Sequence, residues 1–166
     1  FSGRSRKPQM ALAAKYGFTG YASPAGGCCF LTDKSYSDKL VDLWKGRGSR
    51  EYEMDDIMLL KVGRHLRPKG DYKLIIARDA GESQYLEGYR KQYISIQAIS
   101  HNGPLALIDG DITPEDYTHA ASIVARYGQG RDSDEVEMTF TVPGKTMQTL
   151  HIAPLSTEQV LEDWHV

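Results

Sequence analysis

The sequence predicts an α+β (mixed α/β) fold: a helix–cysteine loop–helix segment over residues 1–50, then a mixed-sheet domain over residues 51–166. Three observations carry this expectation. Apolar runs at 72–77, 93–100 and 105–108 are rich in Ile, Leu and Tyr and are separated by turn residues, as strands are. Stretches of helical periodicity with recognisable starts and stops alternate with them. A Pro- and Gly-rich stretch, Ser23-Pro-Ala-Gly-Gly-Cys28, divides two N-terminal helical segments.

The elements follow in order. Residues 4–16 form a basic amphipathic helix with Met10, Ala13 and Ala14 towards a core and Arg6, Lys7 and Lys15 outward. Gly17 stops it. Residues 35–46 regain helical spacing through Leu40, Leu43 and Trp44, and the joint Gly46-Arg-Gly-Ser-Arg50 marks the boundary. A short helix at 53–63 and another at 81–91, opened near Asp79, flank the first strand. The turn His101-Asn-Gly-Pro104 joins the next two strands. Thr113-Pro-Glu-Asp116 starts a helix that ends at Gly128: a capping hydroxyl, then Pro, then acids in the first turn. Residues 135–142 and 145–152 make a hairpin around Pro143-Gly144, and 157–165 a last short helix.

A net charge of −2 hides an asymmetry. Residues 1–78 carry a balance of +7, and residues 79–166 one of −9. Such a basic half can hold a polyanion, although charge also segregates along ordinary solvated surfaces. No apolar run approaches the roughly 18–20 residues of a membrane-spanning helix. The chain opens on Phe1 without a leader pattern, so we expect a piece of a longer protein.

The only cysteines, Cys28 and Cys29, are adjacent, and neighbouring cysteines rarely bridge each other. No disulfide framework is expected, and a reducing cytoplasm is the natural compartment. On a Gly-rich loop, a thiol can be turned into a nucleophile by backbone N–H groups, cations or a helix N-terminus. The same pair can equally be two small hydrophobes buried beside Phe30 and Leu31. No metal site is expected, because two vicinal cysteines supply too few ligands and the five histidines are scattered.

Gly3-Arg-Ser-Arg-Lys-Pro-Gln9, the Ala-rich helix, Ser23-Pro-Ala-Gly-Gly-Cys28 and Leu31-Thr-Asp33 together resemble PP-loop ATPase proteins of the tRNA 2-thiouridylase and 4-thiouridine-synthase kind. There a Gly-x-Cys-Phe stretch carries a cysteine that receives sulfur as a persulfide. The Gly-Gly-Cys pattern pairs with Cys28 and the Cys-Phe pattern with Cys29, so the resemblance implies one or the other as the catalytic cysteine. Lys73-Leu-Ile-Ile-Ala-Arg-Asp-Ala-Gly-Glu-Ser-Gln-Tyr-Leu86 is similar to the strand–helix signature of the NFACT-R RNA-binding domain. Arg78 keeps that pattern, while Ala77 stands for its Gly, Asp79 for its first Asn, and Ser83 near its second. The resemblance implies tRNA as partner, an N-terminal PP-loop ATPase domain of the same chain, and a sulfur donor protein. Adenylation, with ATP and Mg²⁺, would belong to that other domain: no Ser-Gly-Gly-x-Asp-Ser loop occurs here, so this chain by itself holds no cofactor.

Lys and Arg supply the phosphate contacts that dominate RNA affinity. Two clusters qualify, Arg4, Arg6 and Lys7 with Lys15, and Lys61, Arg64, Arg67, Lys69 and Lys73, with Arg78 following in the NFACT-R-like signature. His65 and Tyr72 are interleaved and could stack on a base. The leading reading is thus a tRNA-presenting, sulfur-accepting portion of a tRNA-thiolation protein. The alternative is a non-catalytic RNA-binding or protein-docking module with inert cysteines.

Overall fold

Burial along the strands decides the architecture. In Tyr72–Ile76 (β2) both faces are buried, so the strand lies in the middle of the structure with helices on either side. The computed structural model describes residues 7–20 and 33–166. The helices are α1 (Lys7–Lys15), α2 (Lys34–Arg47), α3 (Met54–Leu59), α4 (Ala80–Glu87) and α5 (Tyr117–Ala125). The remaining strands are β1 (Arg64–Lys69), β3 (Ile94–Ala98), β4 (Ala106–Gly110), β5 (Val136–Thr141) and β6 (Gln148–Ile152). They form one six-stranded sheet in the order β1-β2-β4-β3-β5-β6.

Every neighbouring pair in this sheet is antiparallel, where the sequence suggested a mixed sheet. The reason is topological. β2, α4 and β3 form a crossover that would pair two parallel strands, but β4 inserts between them and pairs antiparallel with each. The α+β class stands, with helices on both faces.

One face of the sheet packs on α5. Leu66, Leu74, Ile76, Ile96, Met138 and Phe140 close on Ala120, Ala121, Ile123 and Val124. Each buried aliphatic side chain contributes about 1.5–3 kcal/mol. On the opposite face Ile75 and Leu107 meet Leu59 of α3 and Leu86 of α4. Outside that layer lies α2, whose Tyr36, Leu40 and Leu43 pack on Leu60. Asp33 caps α2, accepting from the Tyr36 N–H at 3.2 Å, and Gly48 ends it at φ +64°.

Three local expectations are corrected. β1, Arg-His-Leu-Arg-Pro-Lys, was not expected as a strand. It is the sheet edge, and the edge tolerates Pro68, which lies where the register with β2 shifts. Residues 113–128 divide into a 3₁₀ turn, Pro114–Asp116, and α5, and the last predicted helix is two 3₁₀ turns, Thr157–Gln159 and Glu162–Trp164. In α1 no residue is buried, and Met10, expected to face a core, is 57% exposed. Among the described residues no helix is long and apolar enough to cross a membrane.

Candidate nucleic-acid interface

The two buried faces of β2 create an electrostatic problem that α2 and α3 solve. Lys73 points from β2 towards α2 with its side chain only 1% exposed. An ammonium so placed needs paired anions. Asp42 of α2 lies 3.2 Å from its Nζ and Asp109 of β4 3.6 Å. Asp42 also accepts from Arg67 Nε at 2.5 Å and Nη2 at 2.8 Å. Arg47 holds Asp56 with a bidentate pair of 2.6 and 2.5 Å, reaches Asp109 at 3.5 Å, and Tyr93 donates to Asp56 at 3.3 Å. Burial would raise the Asp42 and Asp56 carboxyls, but the Arg67 and Arg47 hydrogen bonds and the neighbouring charges hold both below their ordinary range. The Tyr93 hydroxyl is pushed up to about 12 by burial and by Asp56.

His65 completes this layer. Its Nε2 lies 3.0 Å from the Val62 carbonyl and 3.2 Å from that of Leu59, so Nε2 carries the proton. Burial, then the charges of Lys73 and Lys39, pull its pKa down to about 3. His65 is therefore a neutral core residue and Tyr72 is fully buried, so neither ring can stack on a base.

The surface chemistry gathers where β2 ends. Arg64 pairs with Ile76, and Arg78 follows two residues later. Asp79 caps α4, accepting from Glu82 N–H at 2.9 Å. Glu82 takes the Arg78 backbone N–H at 2.7 Å and its guanidinium as well. Burial would raise the Glu82 carboxyl, yet these bonds and the Gly63 N–H pull it down to about 2. Gly63 itself is obligatory: at φ +76° an added Cβ would lie 2.8 Å from the Ile76 carbonyl oxygen.

Two loops complete a cleft of about 600 Å³ beside this junction. One holds Asn102-Gly103-Pro104 and the other Tyr127-Gly128-Gln129. They are zipped by Gln129 N–H donating to the Asn102 carbonyl at 2.8 Å. A Cβ on Gly128 would come within 3.2 Å of Gly103 Cα, so the glycines permit the close approach. Arg78 and Arg131 line the cleft with side chains 51% and 60% exposed, and the Arg64 guanidinium lies 5.1 Å over the Tyr127 ring. At the other end of the sheet, where Tyr72 pairs with Gly110, Asp71, Asp109 and Asp111 cluster. The arginines of the cleft lie at the end of the sheet opposite to these aspartates, of which Asp109 also pairs with Lys73 and Arg47.

The predicted site residues separate accordingly. Arg4, Arg6, Cys28 and Cys29 lie outside the described residues. Lys7 is exposed on α1, and Lys61 sits beside α3, 3.7 Å from Met58 Sδ. Arg64 and Arg78 reach the cleft end of the sheet. Lys69 pairs with Asp116 at the far end. Arg67 and Lys73 are held inside the ion-pair layer. Sequence reasoning did not single out Asn102, Tyr127, Gln129 or Arg131. The signal was present in two Gly-containing turns, Asn102-Gly-Pro104 and Tyr127-Gly-Gln-Gly-Arg131, whose polar and aromatic residues had no periodic reason to be there.

A family profile described as the NFACT protein RNA binding domain matches residues 63–165. Among solved structures, the C-terminal part of the fibronectin/fibrinogen-binding protein from Streptococcus suis is similar in fold, with a TM-score of 0.52 at 17% identity. The likeness covers 63% of this chain and 50% of that one, so this chain spans about half of its solved relative. No curated protein matches.

Proposed function

The chain belongs to the NFACT protein RNA-binding domain family, and from that premise we propose that it holds tRNA against the basic end of its sheet as the RNA-presenting part of a cytoplasmic tRNA sulfur-transfer protein. The observation that carries the reading is the gathering of arginines at one cleft. Although the net charge is −2, Arg78 and Arg131 line the cleft with side chains more than half exposed, and Arg64 lies over the Tyr127 ring beside them. Exposed guanidiniums of this kind supply phosphate contacts. The exposed Arg131–Asp132 pair does not prevent this, because surface ion pairs are worth only about 0–1 kcal/mol, and Arg78, although held by Glu82, keeps its side chain 51% exposed.

The sulfur role rests on the sequence resemblance around Cys28 and Cys29. Lys39 of α2 approaches the Gly63 carbonyl at 3.4 Å, at the cleft end of the sheet, whereas Arg47 reaches Asp109 towards the other end. Cys28 or Cys29, which precede α2 in the sequence, would deliver sulfur to RNA held at the cleft. In this reading, which the resemblance supports, ATP, Mg²⁺ and adenylation belong to a PP-loop ATPase domain of the same protein, and the sulfur comes from a donor protein.

The test is a tRNA mobility shift at two salt concentrations, with Arg78→Ala/Arg131→Ala alongside. Salt-sensitive binding that the variant weakens about tenfold is expected, corresponding to about 1.4 kcal/mol of lost phosphate contact. Absence of binding even at low salt would overturn the reading. For the sulfur role, Cys28→Ser and Cys29→Ser are compared in the full-length protein. One of them loses tRNA thiolation; if both stay active, the cysteines carry no sulfur.

A further inference from the structure

The cleft has a division of polarity that an RNA backbone alone does not require. Its guanidiniums, Arg78 and Arg131, are more than half exposed, whereas Asp79 and Asp132 also line it. A phosphate driven inside would meet those carboxylates. Phosphates are therefore favoured at the mouth, and the interior suits a neutral group rich in both donors and acceptors. Asn102 and Gln129 supply that chemistry: their side-chain amides, each a donor and an acceptor, have no partner among the described residues. Tyr127, with Arg64 over its ring, provides a flat aromatic wall.

We infer that this cleft receives a single unpaired nucleotide of the RNA, its base edge on Asn102 and Gln129 and its flanking phosphates on Arg78 and Arg131. The inference rests on the RNA-contact reading above and names the feature of the RNA that it selects. A volume of about 600 Å³ matches small-ligand sites, which run to roughly 300–1,000 Å³, and excludes a paired and stacked duplex. Unpaired bases present the edges that amide side chains read, and aromatic rings accept their faces. The carboxylate of Asp79 adds an acceptor for an exocyclic amino group, so adenine and cytosine fit better than uracil.

The experiment compares three RNAs that share one stem: a blunt duplex, the duplex with a single bulged adenosine, and the duplex with a short 3′ overhang. Fluorescence anisotropy gives the ratio of affinities. The intact protein binds the bulged or overhanging RNA about tenfold more tightly than the blunt one, the discrimination expected of one well-made base contact. Asn102→Ala/Gln129→Ala brings that ratio close to one. An intact protein that binds all three equally well, or a double variant that keeps the full ratio, overturns the inference while RNA binding stands. If none of the RNAs binds at low salt, the RNA reading falls and takes this inference with it.

Discussion

Asp42→Ala is expected to lower the unfolding free energy by about 3–5 kcal/mol, the usual cost of leaving a buried charge without its partner. Asp42 accepts from both Arg67 and Lys73, and among the described carboxylates it lies nearest the Lys73 ammonium. Without it, Lys73 keeps only Asp109 at 3.6 Å in a site with 1% of its side chain exposed. Lys73→Met is expected to cost less, because Asp42 remains paired with Arg67 and the buried cation is gone. Urea denaturation of the two variants measures both. If Asp42→Ala costs under about 1 kcal/mol, α2 is not anchored by this layer. The result also bears on function. Removing Arg67 or Lys73 to test RNA contact would damage the fold, so a loss of binding in such a variant would mislead.

The second large effect is a pH dependence. His65 has its pKa pulled from an ordinary value near 6.5 down to about 3, chiefly by burial and then by Lys73 and Lys39. Below pH 6.5 the unfolded chain takes up a proton that the folded chain refuses. Stability therefore falls as pH drops from 6.5 towards 3, at up to about 1.4 kcal/mol per pH unit. The depressed carboxyls, Asp42, Asp56 and Glu82, act in the same direction but lower down. Their stabilisation is complete above the unfolded values near 4 and is lost only as pH falls further. Because the ordinary value of Glu82 is 4.5, the window that isolates His65 runs from 6.5 to about 5.5. Thermal or urea unfolding across it is expected to show the full slope in the intact protein and a flattened one in His65→Gln. An unchanged slope in the variant would assign the dependence to another group.

Much of the fold is legible in the chain. The apolar runs of β2, β3 and β4, the Pro143-Gly144 turn of the β5–β6 hairpin, and the Asp79 cap are local signals, and each lies where its chemistry predicts. β1 was hidden because its burial does not alternate: only the consecutive His65 and Leu66 are buried, between arginines and beside a proline. The antiparallel pairing was hidden as well, since a strand–helix–strand run does not reveal that a later strand inserts between its ends.

The candidate site divides in the same way. Sequence alone determined that the protein is basic in its first half, that Arg78 precedes a helix after a buried strand, and that Cys28 and Cys29 directly follow two glycines. It could not tell an arginine that faces solvent from one that neutralises a neighbouring element. Tertiary structure decided that, because charge in a linear sequence has no depth. β2 is covered on both faces, so Lys73 turns inward to Asp42, and Arg67 joins it from the edge strand. Arg64 and Arg78 lie where the strands end and no layer covers them, and the closure of two glycine turns brings Arg131, Asn102 and Gln129 to the same cleft from parts of the chain some 25 to 50 residues away.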